Sequence, residues 1–111
     1  MKSPFFSVIT ICFNSSESIF ECLVSLYSQE FKEYEHIIQD GDSKDGTLEK
    51  IKSFENKKTY LVSEKDNGLY DALNKAIKRC RGKYIVLLHS DDNLHDKNTL
   101  KNLYQFIYHN N

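Results

Sequence analysis

Glycine is scarce in this 111-residue chain and is missing where two common nucleotide-binding loops need it. The turn after the first apolar run, "CFNSSES", contains none, and no GxxxxGK[ST] pattern occurs anywhere. Those glycines let a backbone approach a pyrophosphate, so their absence argues against the dinucleotide fingerprint and the P-loop. A diphosphate bound here needs another neutraliser. Cysteine is also sparse: Cys12, Cys22 and Cys80 are odd in number and lack metal spacing, as do His36, His89, His95 and His109. No Ser/His/Asp or Cys/His constellation stands out. Reduced thiols and a cytoplasmic location are expected. The opening apolar run, Phe5 to Phe13, is short and has no cleavage-site pattern, so it does not read as a signal peptide. No run is long enough to span a bilayer. Charge of one sign is lacking too: 15 Lys and Arg face 16 Asp and Glu, a net of −1, which argues against a nucleic-acid partner. With no repeat, low-complexity tract or linker, residues 1–111 read as one domain.

What is present is an alternation of strand and helix patterns. Phe5 to Phe13, "FFSVITICF", is apolar and β-branched, as in a strand buried on both faces. Ile19, Cys22, Leu23, Leu26 and Tyr27 recur at helical spacing within Ser16 to Gln29. Further strands are expected at Tyr34 to Asp40, Thr59 to Glu64 and Lys83 to His89. Further helices are expected from about Gly46 to Glu55, along the stripe Leu69, Leu73, Ala76, Ile77 and Cys80, and from about Lys97 to Tyr108. Gly82 stands where a helix C-cap glycine belongs. This β-α-β-α-β-α-β-α order predicts an α/β fold, a three-layer α/β/α arrangement on a mainly parallel sheet with strand order 3-2-1-4.

In such a sheet ligands bind beyond the carboxyl ends of the strands, at the switch point between strands 1 and 4. Those ends carry Phe13-Asn14, Asp40-Gly41-Asp42, Glu64 to Gly68, and Ser90-Asp91-Asp92. The adjacent Asp91 and Asp92 have two readings. They hold a hard cation such as Mg²⁺, which takes one or two carboxylates, water and substrate phosphates. Alternatively, Asp92 or Asn93 caps the final helix. Asp40 is either a carboxylate that reads a ring N–H or a turn residue; Asp42, Ser43 and Asp45 read as structural turn residues. Asp71 reads as part of a solvated helix face. His89 either lines the site or packs locally.

Four stretches, "FSVITICFNSSESIFECLVSLYSQ", "YEHIIQDGDSKDGT", "SEKDNGLYDALNKAI" and "GKYIVLLHSDDN", follow in the order and spacing of family 2 glycosyltransferases with the GT-A fold. The chain resembles that family over residues 5 to about 96, most closely its bacterial polysaccharide-building members. The resemblance implies inverting transfer from a nucleotide diphosphate sugar, a UDP-sugar above all, with Mg²⁺ or Mn²⁺. By position it implies that Ile11 and Phe13 flank the nucleobase, with Asn14 beside them. Asp40 would accept the uracil N–H, and Asp66, Asn67 and Gly68 would border the diphosphate. Asp91 would lie nearer the ribose and Asp92 on the metal, which favours the cation reading of the pair.

Inverting transfer needs a base for the attacking hydroxyl. After Asp92 only Asp96 offers a carboxylate, so the catalytic base is expected beyond Asn111 and the acceptor-binding part is expected to be absent. The alternative is a nucleotide-sugar-binding module, or a truncated gene product, without turnover by itself. A receiver domain would need an acidic pair after strand 1, where Asn14, Ser15 and Ser16 stand. The expected partners are the donor and a glycan or lipid-linked acceptor. The resemblance is compatible with peripheral association at the inner membrane face. Self-association is expected through strand 83–89 or helix 97–108, because that strand is an apolar sheet edge.

Overall fold

The structure, a computed structural model, describes residues 3–54 and 56–110. Four strands, β1 (Phe6–Cys12), β2 (Tyr34–Asp40), β3 (Thr59–Ser63) and β4 (Tyr84–Leu87), alternate with α1 (Ile19–Tyr27), α2 (Thr47–Lys52), α3 (Leu69–Lys78) and α4 (Thr99–His109). The sheet is parallel throughout, in the order β3-β2-β1-β4. The register runs from Phe6 beside Tyr34 to Cys12 beside Asp40, so β1 and β2 end level.

Side chains alternate across the sheet, and each face recruits its own helices. On one face, Phe6 and Val8 pack with Cys22 and Leu26 of α1 and Leu100 of α4. Cys12 and Ile38 meet Ile19 and Leu23 of α1 and Ile51 of α2 on that same side. On the other face, Ile9 and Ile37 pack against Ala76 of α3, with Leu73 and Cys80 alongside. The expected three layers are therefore present, but unequally filled. One helix cannot cover four strands, and the α3 side of β4 stays open, with Ile85 44% and Leu87 49% exposed. Val86 and Leu88, on the opposite face, are covered by the α1 and α4 side.

A buried polar network crosses the core. The Thr10 hydroxyl pairs with His36 Nε2 at 2.7 Å, and the Tyr27 hydroxyl with His36 Nδ1 at 3.0 Å. Tyr27 also reaches the Thr59 hydroxyl at 2.6 Å. The chain thereby ties β1, β2, β3 and α1 together at fixed register, since a slip of one residue would orphan each of these buried groups. Burial pushes the His36 pKa down to about 3, so the ring is neutral in the native state.

Several local expectations change. The first helix is shorter than Ser16 to Gln29, because Ser15 to Ser18 form a turn closed by Ser18 and Ile19 N–H groups on the Ser15 carbonyl. The second helix stops at Lys52, and its expected end at Glu55 lies outside the described residues. Gly82 is not the α3 cap, which falls at Arg79. A Cβ at Gly82 would lie 2.6 Å from the Ser7 nitrogen, so glycine is needed there for the chain to pass against the β1 backbone.

Candidate functional site

β1 and β4 are parallel neighbours, so their carboxyl ends lie side by side at one rim of the sheet. A cavity of about 740 Å³ lies there, bordered by Ile11, Asn14, Ser15, His89, Ser90 and Asp91, among others. The Ser15 and Ser90 hydroxyls, 2.9 Å apart, join the two lips. These two serines were not among the residues expected from sequence; hydroxyls facing each other across a strand-order reversal are visible only once the order is known.

The loop after β1 is held by side chains from the β2–α2 segment. Asn14 N–H donates to the Ser43 hydroxyl at 2.8 Å, Ser15 N–H to the Thr47 hydroxyl at 2.8 Å, and Ser16 N–H to Asp45 Oδ2 at 3.1 Å. Asn14 sits at a left-handed φ of 48° and Asp42 at 68°, both non-glycine residues held there by this network. The consequence for chemistry is direct. The three amides that could have cradled a phosphate are already occupied, which agrees with the glycine-free sequence of the turn. Asp45 is structural as expected: the Thr47 hydroxyl above all, helped by Ser16 and Thr47 N–H groups, holds its pKa down to about 2.

The acid pair lies in the turn segment beyond β4, which itself stops at Leu87. α4 begins only at Thr99, and its start is organised by Asp96, whose Oδ1 accepts Asn98 N–H at 2.8 Å. Neither Asp92 nor Asn93 caps that helix, so the capping alternative for the pair fails. Asp91 and Asp92 are both exposed, and among the described residues neither carboxylate accepts a hydrogen bond or pairs with a cation. Two adjacent anions with free lone pairs at a cleft fit a hard divalent cation that completes its shell with water and phosphate oxygen. No third His, Cys, Asp or Glu joins them among the described residues, so the site suits a cation shared with a substrate and not a closed protein cage. His89 is exposed and lines the same cleft.

Asp40 does not fit the direct base-reading role expected of it. It is fully buried, and its oxygens accept Ser43 N–H at 2.8 Å, the Ser43 hydroxyl at 2.6 Å, the Ser63 hydroxyl at 2.8 Å and the Cys12 thiol at 3.3 Å. Burial alone would raise its pKa; these hydrogen bonds outweigh it and hold the carboxyl below the ordinary Asp value. A ligand N–H finds no open lone pair there. Asp40 instead fixes the turn that carries Ser43 to Asn14, so it positions the site without facing it. Cys12 beside it is an inert thiol, its pKa raised by burial first and then by the Asp40 charge.

The remaining candidates gather around Phe13, a residue 63% exposed. Phe13, Gly41 and Asp66 share one cavity of about 450 Å³, and Ile11, Phe13, Asp66 and Gly68 line a neighbouring one of about 270 Å³. Asp66 Oδ1 accepts Gly68 N–H at 3.0 Å, and Asp71 accepts Asn67 N–H at 2.9 Å. Asp71, in the first turn of α3, thus ties down the loop before that helix while pairing with Lys75 at 3.2 Å, a more specific structural role than a solvated face. Asn67 and Gly68 form the connection into α3, with Gly68 at φ 109°.

Fold and rim together define an α/β protein with a polar, acidic cleft beyond the carboxyl ends of its parallel strands. The family model described as "Glycosyl transferase family 2" matches residues 7–111, and the chain belongs to that family. A PGL/p-HBAD biosynthesis glycosyltransferase of Mycobacterium bovis (strain BCG / Pasteur 1173P2) is 30% identical over 110 residues, covering 96% of this chain and 43% of the relative. The poly(ribitol-phosphate) beta-N-acetylglucosaminyltransferase TarS of Staphylococcus aureus (strain Mu50 / ATCC 700699) is 36% identical over 107 residues, 92% of this chain and 18% of TarS. Among solved structures, S. aureus TarS 1-349 in complex with UDP-GlcNAc superposes with a TM-score of 0.89 at 33% identity, over 95% of this chain and 31% of that one. A mannosyltransferase from Pyrobaculum calidifontis in complex with GDP-Man and Mn²⁺ gives 0.85 at 25% identity, over 96% of this chain and 33% of that one. The chain thus spans less than half the length of these relatives. The GT-A architecture and the 3-2-1-4 sheet agree with these neighbours.

Proposed function

We propose that this chain binds the nucleotide diphosphate sugar donor of a glycosyl transfer, a UDP-sugar first, in the synthesis of a polysaccharide or cell-surface glycan. The observation that carries this is Asp91, exposed and without a protein partner on the lip of the β1–β4 cleft, with the equally exposed Asp92 next to it in the chain. The glycine-free loop adds support, because its amides are occupied and leave the diphosphate charge to be met otherwise. Mg²⁺ or Mn²⁺ held by Asp91 and Asp92 would supply that neutralisation and stabilise the leaving diphosphate. Phe13 offers the base a stacking surface, Ile11 an apolar floor, and Asn14, Asn67 and Gly68 border the donor. The neighbours' bound donors, UDP-GlcNAc and GDP-Man, support the substrate class and leave the base to be decided by this chain's own residues.

A donor-binding unit without turnover by itself is the second reading, and Asp96 favours it. Its Oδ1 holds Asn98 N–H, and its carbonyl takes Gln29 Nε2 at 2.8 Å, so the one carboxylate following the pair belongs to the α4 start. The acceptor in that reaction would be a glycan or a lipid-linked molecule. The three free thiols fit a reducing compartment such as the cytoplasm. Among the described residues no helix is long and apolar enough to cross a membrane. The open side of β4 supports self-association through that edge more than through α4, whose Leu100, Leu103 and Ile107 already pack on the core.

Calorimetry with UDP in Mn²⁺ and in chelator tests the proposal. Affinity should fall by about tenfold or more without the cation, the size of losing one charge-assisted contact. Equal affinity in the two conditions removes the metal role of Asp91 and Asp92.

A further inference from the structure

The geometry points to Asp66 as the residue that selects the nucleobase, an inference that rests on the donor-site reading above. The place where Asp40 was expected to act is sealed, and a different carboxylate fills the space beside the aromatic surface. Gly41 marks the spot. A Cβ on residue 41 would come within 2.9 Å of Asp66 Oδ2 and 3.3 Å of Phe13 Cδ1. The carboxylate and the ring therefore converge on the same point, and glycine at 41 is what lets them do so.

Asp66 is half-buried and borders both cavities that flank Phe13. Its two oxygens are unequal. Oδ1 is anchored by Gly68 N–H at 3.0 Å, which fixes the side chain. Oδ2 accepts no hydrogen bond from the described residues. A base stacked on Phe13 would present its edge to an anchored carboxylate with a free oxygen. A carboxylate only accepts hydrogen bonds. It therefore favours bases with a ring N–H on that edge, uracil at N3 or guanine at N1. It disfavours cytosine and adenine, whose corresponding ring nitrogens are acceptors and would face a like lone pair. This class of base agrees with the chemistry of the neighbours' ligands without being set by it.

The test is a calorimetric panel of UDP, GDP, CDP and ADP, each with Mn²⁺, on the 111-residue chain and on two variants. The parent should bind UDP or GDP about tenfold to a hundredfold more tightly than CDP and ADP, the worth of one charge-assisted hydrogen bond. Asp66→Asn keeps an Oδ1 acceptor for Gly68 N–H and so keeps the loop anchored. It adds an amide that can donate, and the preference should collapse or turn toward CDP and ADP. Gly41→Ala puts a methyl group against Oδ2 where the backbone itself has no left-handed strain, and should blunt the preference in the same way. Unchanged discrimination in both variants overturns the role of Asp66 while leaving the donor site standing. Failure of all four nucleotides to bind the parent overturns the donor-site reading, and the inference falls with it.

Discussion

Two strands of one sheet lead into aspartates with opposite fates. At the end of β2, Asp40 is buried and saturated by donors from three residues. Beyond the end of β4, Asp91 and Asp92 stand exposed with none. The difference lies in position within the sheet. β2 is central and covered on both faces, so a charge there persists only when fully hydrogen-bonded. β4 is an edge with one open face, and the two carboxylates that follow it are open to water. The same residue type builds the scaffold at one strand end and offers binding capacity at the other.

Substitution should separate the two ends. Asp40→Ala leaves Ser43 N–H and two hydroxyls without their buried acceptor, and should cost about 3 kcal/mol or more in urea unfolding. Asp92→Asn should change stability by less than about 0.5 kcal/mol, as expected for an exposed group without partners, while abolishing the Mn²⁺ dependence of UDP binding. Similar stability losses in both variants would break the comparison.

A second contrast is in pH response. His36 is buried neutral with its pKa pushed down to about 3, while an unfolded chain titrates it near its ordinary value of 6.5. The unfolded state therefore binds the extra proton first. Stability from His36 is full above about pH 6.5 and is lost as pH falls toward 3. Asp40, held below its ordinary value, works in the same direction but only below about pH 4. His36→Gln should flatten the stability profile between pH 6 and about pH 4 by more than about 1 kcal/mol relative to the parent, measured by chemical denaturation across pH. A parent profile already flat over that interval would show that the ring is not held neutral.

The smallest effect concerns the open edge itself. Ile85 and Leu87 are uncovered on the α3 side of β4, and an apolar edge of this kind pairs with further strands unless a charge blocks it. Light scattering should show mass rising with concentration for the parent, and Leu87→Glu should hold the chain monomeric with little loss of fold. A parent that stays monomeric at high concentration would remove self-association through β4.

Much of the architecture was legible in the sequence because its signals are local. The β-branched run Phe6 to Cys12 and the stripes of α1 and α3 each state their element within a dozen residues, and the alternation of strand and helix implies a parallel sheet with right-handed crossovers. The sequence also sufficed to place the acid pair at a strand end and to exclude a glycine phosphate loop. It could not tell Asp40 from Asp91, since both read as an aspartate after an apolar strand. That distinction was decided by Cys12, Ser43 and Ser63, and two of these approach Asp40 from 23 and 28 residues away along the chain. Gly82 was misread for the same reason: what demands glycine there is the backbone of Ser7, 75 residues away. Local pattern determines which elements form, because periodicity is a property of neighbours in sequence. Which carboxylates are buried, which stay free, and which glycine makes room for Asp66 depend on what strand order brings together, and only the tertiary structure decides that.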